Sequence, residues 1–171
     1  MPPRRAAQPL EPFALADALL RAFRTNERVN QYLLEHLAPV VWNADPPGGK
    51  GRTAGAIVSH MHNVRVMWLK AAAKGSMIPE QLDRHTVTPA GAVAAFGESA
   101  RALEGVLEAA LAADGQVKGF KPDVAGFFGY LVAHDAHHRG QLVMLARQLG
   151  SPISQSAMFG MWEWGSRGKE L

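Results

Sequence analysis

This 171-residue chain has no cysteine. Disulfides are therefore excluded as a source of stability, and any metal must be held by nitrogen and oxygen rather than by thiolate. Charge is sparse too: 19% of the residues are Asp, Glu, Lys or Arg, and the formal net charge is +3. The basic residues are scattered, whereas nucleic-acid binding requires a concentrated basic stripe, so no nucleic-acid partner is expected. Long apolar runs are missing. The longest, residues 124–133, covers ten positions, where a helical crossing of a bilayer needs about 20. Arg4 and Arg5 are not followed by an apolar segment, because Gln8, Pro9, Glu11, Pro12 and Asp17 interrupt it. This pattern points to a disordered tail over residues 1–11 rather than an export signal. The expectation is a soluble, cytoplasmic protein with no membrane partner. Strand-like alternation, internal repeats and low-complexity segments are also lacking.

What is present is helical periodicity in a chain that is 47% hydrophobic. Residues 1–171 read as one domain with a core of its own. A first helix is predicted from about Pro12, suited to N1, to Leu37, with a broken apolar stripe of Phe13, Leu19, Leu20, Phe23, Leu33, Leu34 and Leu37. Trp42 to Gly51 is a Pro/Gly loop. Its glycines are not a phosphate cradle, because no Lys-Ser/Thr follows. Thr53 caps a second helix running to Lys74, with Ile57, His60, Val64, Met67 and Ala71 on one stripe. Thr88 caps a third, with Pro89 at N1 and Val93, Phe96, Ala100, Leu103, Leu107 and Leu111 inward. The fourth runs from Asp123 to Leu149, before Gly150 at C′. The fold class is thus all-α, a four-helix bundle. The tail, residues 151–171, is too short for another long helix. Yet Met158, Phe159, Met161, Trp162 and Trp164 make it apolar enough to fold back on the bundle, near one end of the histidine cleft, or to join a dimer contact.

The fourth helix carries His134-Asp135-Ala136-His137-His138-Arg139-Gly140-Gln141. His134 and His138 are four apart, so both imidazoles leave one side of the helix. That side also holds Phe127, Leu131, Leu142, Leu145 and Leu149, and His60 lies on the stripe of the second helix. A single such His is ordinarily a hydrogen-bonded core residue. Three of them on two helices are better explained by a shared divalent metal, since each imidazole otherwise needs its own buried partner. His62 is turned about 200° from His60 and faces elsewhere. His137 reads as a supporting or surface residue, and His36 and His85 as exposed. Three His ligands leave a coordination position for water or substrate. Asp135 either orients a histidine through its second nitrogen or is a solvated or salt-bridged residue. Gln141 is placed to point at the open position; Arg139 either pairs a substrate carboxylate or, the more ordinary role, makes a surface ion pair.

The string His134-x-x-x-His138-Arg139-Gly140-Gln141-Leu142 resembles the signature of the DinB/YfiT-like metalloenzymes. Trp42 with its Pro/Gly loop, the Ser59-His60-Met61 triplet and Trp68 fit the same pattern, from the first helix to about Gly150. The resemblance implies an up-down-down-up bundle, frequently a homodimer, with nickel or zinc on His60, His134 and His138. Some members are S-transferases or isomerases that use a low-molecular-weight thiol. Two functions follow from it. One is a metal-dependent enzyme that activates such a thiol, or water, for a small-molecule substrate. The other is a non-catalytic metal-binding stress-response protein, marked by a closed site with a fourth protein ligand.

Overall fold

A computed structural model describes residues 13–73, 75 and 77–170. The expected disordered tail over residues 1–11, Pro12 and Lys74 lie outside the described residues. Four long helices form: α1 (Leu15–His36), α2 (Ala54–Ala72), α3 (Pro89–Ala112) and α4 (Val124–Gln148). Among the described residues there is no strand. Three helix starts follow their capping chemistry. The side chains of Thr53, Thr88 and Asp123 accept from the backbone N–H of Ala56, Gly91 and Gly126 at 3.2, 3.1 and 2.9 Å. Each bond satisfies a donor that has no partner within its helix. α1 starts later than expected, behind Ala14, which offers no capping side chain. Phe13 consequently stands 76% exposed instead of joining the stripe. α4 stops where Gly150 takes φ 74°. The Ser151 N–H then reaches the Ala146 carbonyl at 3.0 Å, and the Gly150 N–H that of Arg147 at 3.1 Å.

Two apolar clusters give the helix directions. One joins the end of α1 (Leu33, Leu37), the starts of α2 (Ile57, Met61) and α3 (Ala92, Phe96), and the end of α4 (Leu142, Leu145). The other joins the start of α1 (Phe23), the ends of α2 (Leu69) and α3 (Leu107, Ala110), and the start of α4 (Phe127, Leu131). The bundle is therefore up-down-down-up, with α3 and α4 each packed on both α1 and α2. Because α2 and α3 run the same way, the chain between them must return along the length of the bundle. Side chains fasten this crossover at three points. His62 Nε2–H donates to the Glu80 carbonyl at 2.8 Å. Asn63 exchanges two hydrogen bonds with the Leu82 backbone, at 2.9 and 2.8 Å. Trp42 Nε1–H donates to the Val87 carbonyl at 2.7 Å.

A polar layer separates the two clusters. The gap in the apolar stripe of α1 is filled by Asn26, Glu27 and Asn30, all buried. From α2, Arg65 donates to both Glu27 oxygens at 2.7 and 2.8 Å and to Asp135 Oδ2 at 2.9 Å. Asn26 and Asn30 donate to the same Oδ2 at 2.8 and 3.0 Å. Arg139 is not the surface ion pair expected. It donates to the side-chain oxygens of Asn26 and Asn30 at the edge of the layer. Burial pushes the Glu27 carboxyl up to about 7, against the pull of Arg65.

The tail folds back as two short helices, α5 (Gln155–Gly160) and α6 (Trp164–Arg167). Arg167 lies 4.1 Å from the Tyr32 ring centroid, and Arg28 pairs with Glu170 at 2.7 Å, so the tail is seated on α1. On α4 it approaches Val132, Ala136 and Val143. At 100° per residue these positions face away from His134 and His138, so the tail does not border the histidines as expected. Phe159 and Trp162 remain 62% and 77% exposed. A methyl group on Gly160 would overlap the Tyr32 hydroxyl. Gly160→Ala should therefore cost about 1–3 kcal/mol, as overpacking does. A thermal melt would show the loss, together with faster proteolysis of the tail; an unchanged melt would mean that the tail is not seated on Tyr32.

Candidate metal centre

His60 leaves α2 and His134 and His138 leave α4, on the groove between these helices. The stripe expected on α2 is displaced. Its buried face is Ile57, Val58, Met61, Arg65, Val66 and Leu69, while Met67 is 49% exposed. Arg65 is the reason: a buried cation inside the core face disguises that face in the sequence. His60 consequently sits half-buried at its edge, turned toward α4. The ring centroids of His60 lie 5.5 Å from His134 and 4.8 Å from His138, and those of His134 and His138 are 4.6 Å apart. One ring nitrogen from each falls within 4.8 Å of the others. Among the described residues, no other group of three His, Asp or Glu side chains is close enough to share an ion.

The donor set suits a divalent cation. Burial lowers the pKa of all three imidazoles, that of His134 to about 4; His138 lowers those of His60 and His134 further, and Arg52 those of His60 and His138. Neutral imidazole is the form that ligates. Gln141 turns to His138 instead of the open position. Its Oε1 lies 2.8 Å from His138 Nδ1 and its Nε2 lies 3.0 Å from His137 Nε2. A carbonyl oxygen only accepts, so His138 Nδ1 carries the proton and Nε2 keeps the lone pair. The Tyr130 ring stacks on His134 at 5.9 Å and 23°. Asp135 orients no histidine; its Oδ2 is taken up by Arg65, Asn26 and Asn30. It is the salt-bridged residue of the two readings, but buried.

A cleft of about 510 Å³ opens beside His60, between α2 and the crossover, lined by Arg52, Ser59, Asp83, Arg84 and His85. Sequence reasoning did not assemble it. Arg52 and Arg84 are far apart in the chain and carry no shared periodicity, and Ser59 stood out only as part of the Ser-His-Met triplet. His62, facing elsewhere as expected, is buried and holds the crossover. His36 and His85 are exposed.

The model of the DinB family matches residues 13–162. The chain belongs to the DinB family. The matched span of this DinB protein includes all three histidines, the crossover and α5. No curated protein and no solved structure matches it. No helix among the described residues is long and apolar enough to cross a membrane.

Proposed function

We propose that this DinB protein is a metal-dependent enzyme that holds one nickel or zinc ion on His60, His134 and His138. The ion would serve to activate a low-molecular-weight thiol, or water, for transfer or hydrolysis. The observation that carries this reading is the open donor set: three neutral imidazoles converge with no fourth His, Asp or Glu among the described residues, beside a cleft large enough for a small molecule. A stress-response storage site would be closed by a fourth ligand, and none stands with the three histidines among the described residues.

A divalent ion at this position would supply Lewis acidity and make a thiol or water acidic enough to react near neutral pH. The protein's own contributions are distinct. Burial keeps the imidazoles unprotonated, and the Gln141 amide holds His138 in the tautomer that offers Nε2. Asp135 is tied to Arg65, so it does not act as a base in the cleft.

The test compares metal-loaded and chelated protein against a panel of thiols with a small electrophile. The expected result is one ion per chain and thiol consumption that rises through neutral pH and stops on chelation. Activity that survives complete metal removal would end this reading.

A further inference from the structure

The floor of the cleft beside His60 contains an uncompensated group. Ser59 is 1% exposed, and its Oγ has no hydrogen-bond partner among the described residues. A buried hydroxyl without a partner is destabilising unless something else completes it, and native structures rarely keep one for no purpose. The neighbouring Asn63 does not serve, since both its amide nitrogen and its amide oxygen are taken by Leu82.

The rim adds charge. Arg52 and Arg84 stand on it, and neither forms an ion pair with an acidic side chain among the described residues. Arg84 spends its Nε on His85 at 3.0 Å. Asp83, the acidic side chain in the lining, accepts from the His85 backbone N–H at 2.7 Å. Of the arginine and carboxylate side chains in the lining, two arginines stand against one aspartate, an excess of one positive charge. Guanidinium groups offer planar forks of donors that match a carboxylate, and the hydroxyl of Ser59 adds another donor. In the metal-free chain that excess of one positive charge is matched by a monoanion rather than by a dianionic phosphate.

We infer that the small molecule serving the histidine site carries a carboxylate, which Arg52, Arg84 and the Ser59 hydroxyl bind in this cleft. The inference rests on the proposed metal function for the role of the bound molecule, but not for its recognition. The residues bind and orient; none of them takes part in a bond-making step.

Two readouts separate the two ideas. The first is amide chemical-shift mapping of the full-length chain, without metal, titrated with propionate, with 1-propanol and with methyl phosphate. Propionate should shift Arg52, Ser59 and Arg84 and saturate; 1-propanol should not. The second is the visible spectrum of the cobalt-loaded chain titrated with 3-mercaptopropionate and with 2-mercaptoethanol. A charge-assisted contact should make the carboxylate thiol bind about tenfold tighter or more. Arg52→Gln and Arg84→Gln, both at surface positions, should each reduce that preference and leave 2-mercaptoethanol unchanged. Ser59→Ala should weaken propionate binding while leaving the melting temperature equal or higher, an outcome a purely structural serine would not give.

Equal affinity for the two thiols, or a preference that survives both arginine variants, overturns the inference. So does methyl phosphate binding tighter than propionate. If cobalt does not bind or neither thiol alters its spectrum, the proposed metal function fails, and propionate mapping alone decides the cleft. A saturable propionate shift there upholds it, and no shift overturns it.

Discussion

Arg65→Ala should destabilise the bundle by about 3–5 kcal/mol, the range found when one partner of a buried ion pair is removed. The arginine is 2% exposed and donates to two carboxylates, Glu27 and Asp135, which are almost as deeply buried. Its loss leaves both without their cation and opens a cavity beneath Phe96, whose ring centroid lies 4.4 Å from the guanidinium. The lowered midpoint would be read from urea unfolding, with the slope unchanged. Two comparisons make the result specific. Arg24→Ala breaks a partly exposed pair with Glu104 and should cost at most about 1 kcal/mol. Glu27→Gln should cost less than Arg65→Ala, because burial already pushes that carboxyl up to about 7 and its neutral form is within reach. If Arg65→Ala and Arg24→Ala shift the midpoint equally, the ionic layer is not buried as described.

The other large effect is on metal content. Alanine at His60, His134 or His138 should each abolish stoichiometric retention of zinc or nickel after dialysis, measured by elemental analysis. His85→Ala should retain it fully. His62→Ala should also retain it, yet lose about 1–3 kcal/mol of stability, because the Glu80 carbonyl loses its buried donor. Gln141→Leu should weaken binding by about 10–100-fold, the usual consequence of freeing a ligating histidine from its supporting hydrogen bond. Protons compete with the metal for the imidazole lone pairs. All three pKa values are depressed by burial, that of His134 to about 4. Retention should therefore stay level down to the ordinary imidazole value of about 6.5 and decline below it toward 4. Full retention by the single variants would remove these histidines as ligands. A midpoint above 6.5 would show that they are not buried as described.

Four helix ends were legible because capping is local chemistry: Thr53, Thr88, Asp123 and Gly150 mark ends that need only their immediate neighbours. The α4 stripe was legible because two histidines four apart sit among large apolar residues. The stripe of α2 was not. Arg65 occupies the centre of its buried face, and one sequence cannot say that the partner carboxylate is Glu27, 38 positions away. The same blindness made the gap in the α1 stripe look like a defect, when Asn26, Glu27 and Asn30 form a layer there. The cleft was hidden for a different reason. One of its walls is irregular backbone held by His62 and Asn63, and no periodicity announces such a segment. For the tail, apolar content showed that it would pack. It did not show that Tyr32 and Arg28 would draw it to the far side of α4.

The buried ions have one further effect. Arg65 lies five residues beyond His60 on α2, and its partner Asp135 directly follows His134 on α4. Sliding α2 along α4 by one turn would move them about 5.4 Å, beyond hydrogen-bond reach, and strand a charge in the core. The leucines, valines and alanines of the two clusters could exchange partners in such a slipped register at small cost; the ions could not. The charged layer therefore excludes the misaligned assemblies that interchangeable apolar contacts would tolerate. It brings His60 opposite His134 and His138 without touching any of them.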